Sequence, residues 1–259
     1  MSQKLRLTKY LVGLSLAVLT PVFAYAADTV DPVVIEAPKV QETSGNGFYL
    51  GLRGSAAQVN PIRFGLDSLA AVPATIESRY DTTYAGAIVL GFGHDAGAFG
   101  IRGELELGQM RSQIKSHEVF DQTSGASLGF FDGANAFGDT NVRYGLFNIA
   151  IEKKIGDFSP YVTAGLGNAD VEFFNHGITL AAPALGLPAG DTTGLFTQSK
   201  GRAWQIGLGV GYQVTEAITL ELGYRHFRVD NIEVFAADST RSKIALVSDT
   251  ALVGVRLGF

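Results

Sequence analysis

Hydrophobic and polar residues alternate along short stretches of this chain, with the period of two that is typical of β-strands. The stretch IRGELELGQ, residues 101–109, has apolar side chains on one face and Arg102, Glu104 and Glu106 on the other. A water-soluble sheet would bury the apolar face. A small transmembrane barrel would turn that face to lipid and enclose the charges in its lumen. Alternation alone is compatible with both arrangements.

Eight alternating segments follow one another from Gly47 to the end of the chain. Most have the roughly 9–11 residues that a tilted membrane-spanning strand needs. They cover approximately Phe48–Ala57, Tyr80–Gly93, Phe99–Gln113, Thr140–Lys153, Pro160–Ala169, Arg202–Gln213, Ile218–Arg228 and Thr250–Phe259.

The connections between these segments alternate between short and long. HDAGA, KIGDFS and VTEA follow the second, fourth and sixth segments, whereas stretches of roughly twenty to thirty residues follow the odd-numbered ones. Outer-membrane barrels have short periplasmic turns and long external loops, and an even strand count returns the chain to the side where it began. The sequence therefore predicts an all-β fold for residues 47–259: an eight-stranded antiparallel transmembrane β-barrel with four long extracellular loops.

The N-terminus has the features of a secretory signal peptide. Lys4, Arg6 and Lys9 precede an apolar core of about ten residues, and the small residues Ala24 and Ala26 form an Ala-x-Ala cleavage site. We expect residues 1–26 to be this leader. The alternative, a retained membrane anchor, is disfavoured because the apolar run is shorter than the roughly 20 residues of a spanning helix.

Residues 27–46 carry two prolines and mixed charge, and we expect an extended periplasmic lead-in with a possible short strand at Val33–Ile35. Removing the three cations of the leader takes the formal net charge from −5 to −8, so no basic surface for nucleic acid is predicted. The chain has no cysteine, which excludes disulfides and thiolate metal sites.

The two faces of the segments differ sharply. Outward positions are apolar, with aromatic residues towards strand ends, as in the interfacial belts of membrane proteins. The opposite face carries four arginines and four glutamates, predicted to form a charge network in the lumen: Arg53, Arg102, Glu104, Glu106, Glu152, Glu221, Arg225 and Arg256. The alternative is a periplasmic lipocalin-like barrel with its charges outside. The loop asymmetry, the aromatic ends and the small residues between the charges argue against it.

Four stretches of the chain are similar to a known family. GNGFYLGLRGS resembles the first strand, SPYVTAGLG the fifth and ITLELGYRHF the seventh strand of small OmpA-like or opacity-type outer-membrane barrels, the porin family superfamily. The end, ALVGVRLGF, resembles the terminal assembly signal of these proteins, with Val253, Val255, Leu257 and Phe259 as its apolar positions. The resemblance implies a Gram-negative outer membrane and recognition of the last strand by the outer-membrane assembly machinery.

Candidate catalytic, cofactor and metal residues are not evident. His94, His117, His176 and His226 lack metal-ligand spacing and are expected on the solvated surface. Lipid A deacylases of this architecture place a serine two residues after a histidine, but Arg228 follows His226 here, so a nucleophile is missing. A loop with Asp132, Asn135 and Asp139 could bind a divalent cation weakly, although a hydrated loop is the simpler interpretation.

The sequence therefore predicts a non-enzymatic protein with a structural or surface-interaction role and a lumen filled by charged side chains. The alternatives are a narrow porin for small solutes and a lipid-modifying enzyme. The expected partners are outer-membrane lipid and lipopolysaccharide, the assembly machinery and an extracellular ligand at the loops.

Overall fold

The computed structural model describes residues 47–66, 72–180, 190–236 and 239–259. Within these ranges the chain is almost entirely antiparallel strand, with one 3₁₀ turn at Gly133–Asn135. No helix in these ranges is long and apolar enough to cross a membrane. The strands are β1 (Gly47–Val59), β2 (Ile62–Leu66), β3 (Ala74–Tyr80), β4 (Thr83–Asp95), β5 (Gly100–Asp121), β6 (Ser127–Asp132), β7 (Ala136–Glu152), β8 (Phe158–Leu180), β9 (Gly190–Gln213), β10 (Ile218–Phe235) and β11 (Arg241–Gly258).

Eight of these strands close into a ring. β1 pairs with β4 on one edge and with β11 on the other, so the first and last strands of the ring meet. The remaining neighbours follow the order β4–β5–β7–β8–β9–β10–β11, and every pairing is antiparallel. A closed ring satisfies the backbone hydrogen bonds of all its members, which a membrane-spanning sheet requires. The predicted eight-stranded antiparallel barrel is confirmed.

Three short turns lie at the end of the ring where β1 begins and β11 ends. Gly97 and Gly156 occupy two of them with φ angles of +85° and +61°, a left-handed conformation in which glycine has no steric penalty. The N–H of Gly258 donates to the carbonyl oxygen of Ala217 at 2.8 Å, which ties the last strand to the third turn. The predicted short periplasmic turns are therefore present.

The outer wall next to these turns is an apolar band. The outward side chains of its central levels are large and exposed, as at Leu105 (50%), whereas the neighbouring inward Glu106 is 0% exposed. Phe48 with Phe92, and Phe158 with Tyr212, form ring pairs at 5.1 Å near the turn end. A soluble lipocalin-like barrel would have the reverse arrangement, with charges outside and apolar residues inside.

Beyond the apolar band the strands continue into a second part, which we call the outer extension: residues 57–66, 72–83, 112–142, 169–180, 190–203, 227–236 and 239–250. Here β3 pairs with the outer part of β5, β2 pairs with β3, and β6 pairs with β5. Much of the four long connections is therefore strand. The predicted segments stop too early, at Gln113, Ala169 and Arg228, whereas β5, β8 and β10 continue to Asp121, Leu180 and Phe235.

β-bulges interrupt two strands inside the outer extension. Asn175 in β8 and Asn231 in β10 have φ angles of +51° and +61°, and the strand register shifts beside each of them. The inward side chains of β10 are consequently odd-numbered up to Val229 and even-numbered from Ile232. A bulge inserts one extra residue, so it reverses the alternation that a sequence pattern follows.

The interior of the outer extension is an apolar core. It is contributed by most strands of the extension and contains fully or almost fully buried side chains, among them Val59, Phe64, Val119, Val142, Phe173, Val229, Ile232, Val234 and Leu246. The lumen thus changes character along its length, from charged inside the apolar band to apolar inside the outer extension.

Several predictions concern residues that the structure does not describe. The signal peptide 1–26, its cleavage residues Ala24 and Ala26, the lead-in 27–46 and the strand at Val33–Ile35 all lie outside the described residues.

A charge placed in the apolar band should destabilise the barrel. We expect Leu105→Arg to lower the unfolding free energy in phosphatidylcholine vesicles by about 2–4 kcal/mol, the range for arginine at the bilayer midplane. Gln109→Arg, on the same face of β5 beyond the apolar residues, is the control and should change it by about 1 kcal/mol or less. Urea titration followed by the fluorescence of the single tryptophan, Trp204, measures both. Equal effects would contradict the lipid-facing assignment.

Candidate functional site

The inward faces of five strands bring eight charged side chains together inside the apolar band. We call this group the ionic layer: Arg53, Arg102, Glu104, Glu106, Glu152, Glu221, Arg225 and Arg256. The strict alternation of β1, β5, β7, β10 and β11 turns each of these residues inward while its neighbours face outward. These eight residues are the ones that the sequence singles out, and the structure brings all of them into one connected group.

Glu106 is one centre of the ionic layer. Its carboxylate lies 3.0 Å from the Nη1 atom of Arg53 and 2.5 Å from that of Arg225. It also accepts hydrogen bonds from the hydroxyl of Tyr144 at 3.2 Å and the amide of Asn148 at 3.0 Å. A fully buried carboxylate is tolerated only with such partners, because its desolvation is otherwise expensive.

Glu221 is the second centre and contacts three arginines. Its Oε2 atom lies 3.2 Å from the Nε atom of Arg53, and its Oε1 atom lies 3.0 Å from Arg102 and 3.1 Å from Arg256. Glu104 completes this side of the layer, 2.9 Å from Arg53 and 3.6 Å from Arg102.

The third contact region lies nearest the short turns. There Glu152 is 3.2 Å from the Nε atom of Arg102 and 3.5 Å from Arg256. Each of the four carboxylates therefore lies within 3.6 Å of at least two guanidinium groups. The four positive and four negative charges balance, so the layer is neutral as a whole.

Three tyrosines fill the space that the ion pairs leave. Tyr49 donates from its hydroxyl to Glu104 at 2.5 Å, and the guanidinium of Arg102 lies over the ring of Tyr161 at 5.0 Å. Tyr49 is directly opposite Gly91 in the strand register, and a Cβ atom on that glycine would come within 2.2 Å of the tyrosine ring. Tyr144 pairs with Gly108 in the same way. Glycine at these positions lets a flat ring lie against the inner wall.

Little open space remains in the middle of the lumen. A cavity of about 10 Å³ lies among Arg53, Glu104, Glu106 and Tyr161, which is about the smallest volume that can hold a single water molecule. A larger cavity of about 110 Å³ lies at the turn end and is lined by residues that include Tyr49, Arg256, Lys154 and Thr219. The ionic layer forms the floor of this vestibule, through Arg102 and Glu152.

Sequence reasoning missed the inward tyrosines. Tyr49, Tyr144 and Tyr161 lie in segments of alternating pattern, close to apolar residues. When each segment is read alone, they resemble lipid-facing aromatic residues. The signal that could have identified them is parity: each shares the odd or even numbering of the inward charges or glycines on its own strand.

The expected surface position of two histidines is wrong. His117 and His176 are 1% and 0% exposed and lie inside the outer extension, with ring centroids 6.2 Å apart. His117 shares a hydrogen bond of 2.9 Å with Ser78, and His176 one of 3.0 Å with Thr140. Both fall in connections that were expected to be loops and are instead inward-facing positions of β5 and β8. His94 is exposed, as expected, whereas His226 is half-buried.

Burial lowers the pKa of both histidines. Desolvation is the main cause for His117. At His176, desolvation and the nearby His117 lower the pKa to about 4, against a smaller opposing effect of its hydrogen bond with the Asp139 backbone. Both rings are therefore neutral at pH 7.

The outer wall carries a small polar cluster at the level of β10 and β11. His226 Nδ1 lies 2.9 Å from Asp249, which also accepts a hydrogen bond from Tyr224 at 2.7 Å. Arg228, two residues after the histidine, donates to Asp230 at 2.7 Å. The cluster has a histidine and an acid, but the position where a nucleophile would be needed is occupied by a guanidinium.

No group of three or more histidine, aspartate or glutamate side chains in the described part of the chain could hold a metal ion. Of the loop residues considered for a divalent cation, Asp132 and Asn135 are exposed, and Asp139 lies in β7 with its carboxylate 3.2 Å from Arg111.

The C-terminal apolar positions share one face of the ring. Val253, Val255, Leu257 and Phe259 all lie on the lipid side, and Phe259 is 72% exposed. The N–H of Phe259 donates to the carbonyl oxygen of Phe48 at 3.0 Å, so the last residue still contacts β1.

Comparison with protein families gives one match that covers nearly the whole chain. The family described as outer membrane protein beta-barrel domain matches residues 14–258. No curated protein matches the sequence.

Solved structures with a similar arrangement include three from different bacteria. The Neisserial surface protein A has 14% identity and a TM-score of 0.44, with 82% of this chain and 97% of that chain covered. The outer membrane protease OmpT of Escherichia coli has 10% identity and a TM-score of 0.47, with 83% and 98% covered. OprG of Pseudomonas aeruginosa has 16% identity and a TM-score of 0.38, with 82% and 96% covered. These likenesses are too loose for any role to pass from those proteins to this chain.

Reversing one charge of the ionic layer should destabilise the barrel strongly. Glu104→Lys leaves Arg53 and Arg102 with a third cation beside them, and removing one partner of a buried ion pair costs about 3–5 kcal/mol. Asp157→Lys, in an exposed turn, is the matched control and should change stability by about 0.5 kcal/mol or less. The temperature at which each folded variant loses its fast gel migration compares the two. Similar temperatures would contradict the buried pairing.

Acid should weaken the outer extension. Because the pKa of folded His176 lies below the unfolded value near 6.5, the unfolded state binds more protons, and stability falls as pH decreases from about 6.5 towards 4. Hydrogen exchange of β3 and β8 amides at pH 7 and pH 4.5 should show faster opening in acid. His176→Gln should reduce this difference, and an unchanged acid response would refute it.

Proposed function

Because this chain belongs to the family of outer-membrane protein β-barrel domains, and is therefore located in the outer membrane, we propose that it is a non-enzymatic surface protein with a closed lumen. In this proposal the apolar band anchors the protein in lipid, the ionic layer seals the interior, and the outer extension interacts with the surroundings of the cell.

The observation that carries the closed lumen is the neutral ionic layer. An eight-stranded barrel has an interior just wide enough for side chains to fill. The eight charges pair across it at 2.5–3.6 Å and leave a central cavity of about 10 Å³. To conduct an ion, the layer would have to separate several buried ion pairs at once, each at a cost of several kcal/mol.

The surface-interaction role is supported by the outer extension. It holds three additional strands and its own apolar core, so it offers a stable platform above the membrane rather than a set of short caps. We propose an extracellular ligand there, outer-membrane lipid and lipopolysaccharide around the band, and the assembly machinery at Val253, Val255, Leu257 and Phe259. Signal cleavage after Ala26 belongs to the same proposal.

A narrow pore for small solutes is the second candidate. The polar vestibule of about 110 Å³ at the turn end favours it, since a solute could enter as far as Arg102 and Arg256. A lipid-modifying enzyme has less support. His226 and Asp249 are hydrogen-bonded on the outer wall, but Arg228 supplies no attacking group.

Single-channel recording tests the closed lumen. We expect the refolded protein in planar bilayers to give no steady conductance, because the ionic layer spans the interior. An open porin refolded by the same procedure is the control for insertion. A steady conductance of porin size from the wild type would reject the closed lumen and favour the second candidate.

A further inference from the structure

β6 has one edge without a strand beside it. Its six residues pair with β5 from Phe120–Ser127 to Ser116–Asp132, and no other pairing of β6 exists among the described residues. β7 takes the place of β6 along the inner part of β5 and pairs there with residues 100–113. The second edge of β6 therefore presents backbone N–H and C=O groups that another strand could bind.

The side chains of this edge strand are unusual for an unprotected edge. Natural proteins commonly protect such edges with lysine, proline or a covering loop, because an open apolar edge invites pairing with another chain. On β6 the outward residues Leu128 and Phe130 are 37% and 54% exposed, whereas Phe131 points inward and packs against the apolar core. The strand thus combines free backbone groups with two large apolar contacts on its solvent side.

The charge next to this edge favours a cationic occupant. Asp132 at the end of β6 is exposed and has no ion-pair partner among the described residues. Glu118, opposite Phe130, is instead held by Arg79 at 3.4 Å and by the hydroxyl of Ser127 at 3.0 Å. The full chain carries a net charge of −5, so the surroundings do not oppose a positive residue near Asp132.

A second copy of the chain fits this edge poorly. Two copies in one membrane both point their outer extensions away from the cell, so a rotation about the membrane normal relates them. After this rotation, the two β6 strands still run in the same direction along the membrane normal. Antiparallel pairing of two identical edges requires them to run in opposite directions. A segment of another protein, free to approach in either direction, has no such restriction.

We propose that the open edge of β6 binds an extended segment of an extracellular protein as an added β-strand. The segment has apolar residues at alternate positions, which pack on Leu128 and Phe130, and a lysine or arginine within reach of Asp132. Its backbone hydrogen bonds supply affinity and the alternate side chains supply selectivity, as in other cases of strand addition. This inference rests on the proposed surface-interaction role and names the kind of partner for it.

Peptide selection on the folded protein tests the proposal. A random library of ten-residue peptides is selected on the full barrel in phosphatidylcholine nanodiscs, and the enriched peptides are synthesised. We expect extended sequences with alternating apolar residues and a basic residue, whose affinity falls at least tenfold on Phe130→Lys and on Leu128→Lys. Phe235→Lys, an aromatic residue of similar exposure (46%) on β10, is the control and should leave affinity unchanged.

Methylation of the peptide backbone separates strand addition from simple apolar contact. We expect N-methyl groups at one set of alternate residues to abolish binding, and the same groups at the intervening residues to leave it within about threefold of the unmodified peptide. Equal effects of both sets would overturn strand addition. Each variant is first checked for its folded gel migration. If one of the two β6 variants fails to fold, the other still tests the proposal.

The remaining outcomes are also decisive. If no peptide prefers the wild type over Phe130→Lys, the inference about β6 is wrong. Peptides that bind equally to both would leave the surface-interaction role standing at another site. A dimer in native membranes that Phe130→Lys dissociates would instead assign the edge to a second copy. The closed lumen is tested separately by the conductance measurement, so a failure of either proposal can be recognised.

Discussion

Closure of β1 onto β11 is the constraint on which the rest of this structure depends. Pairing from Tyr49–Gly258 to Val59–Ser248 removes the last open edge of the membrane-spanning ring and fixes the number of strands at eight. Eight strands leave an interior that neither lipid nor a column of water can fill, so side chains must fill it. Charged residues there have no bulk solvent, and each needs an opposite charge from another wall of the same ring.

The ionic layer follows from this confinement. Glu106 and Glu221 come from strands on different sides of the ring, and Arg53 bridges them at 3.0 and 3.2 Å. A bridge of this kind needs long side chains opposite one another and small residues between them. The glycines of the inner wall provide the room, most directly at Gly91 beneath the ring of Tyr49. The glycines of the inner wall, the ring of Tyr49 and the charged side chains thus pack as one unit.

The sequence predicts the part of the barrel in the apolar band well and the part beyond it poorly. Within the band, lipid imposes a strict alternation, so the inward charges can be identified from parity alone. Above it, the bulges at Asn175 and Asn231 reverse the parity, so the sequence alternation is interrupted although the strands continue. His117 and His176 lie beyond such shifts, which is why their burial could not be predicted from spacing. Which arginine contacts which glutamate depends on ring closure and not on local sequence.

The chain meets two different sets of constraints, one in the apolar band and one above the bulges. In the apolar band, below the bulges, each residue must suit either lipid or the lumen. Above the bulges, the inward and outward positions exchange their odd and even numbering, and the outward side chains contact water. A residue inserted at a bulge is absorbed there and leaves the lipid-facing register intact. The external hairpins can therefore diverge, or be exchanged for foreign ones, while the membrane anchor of the molecule is preserved.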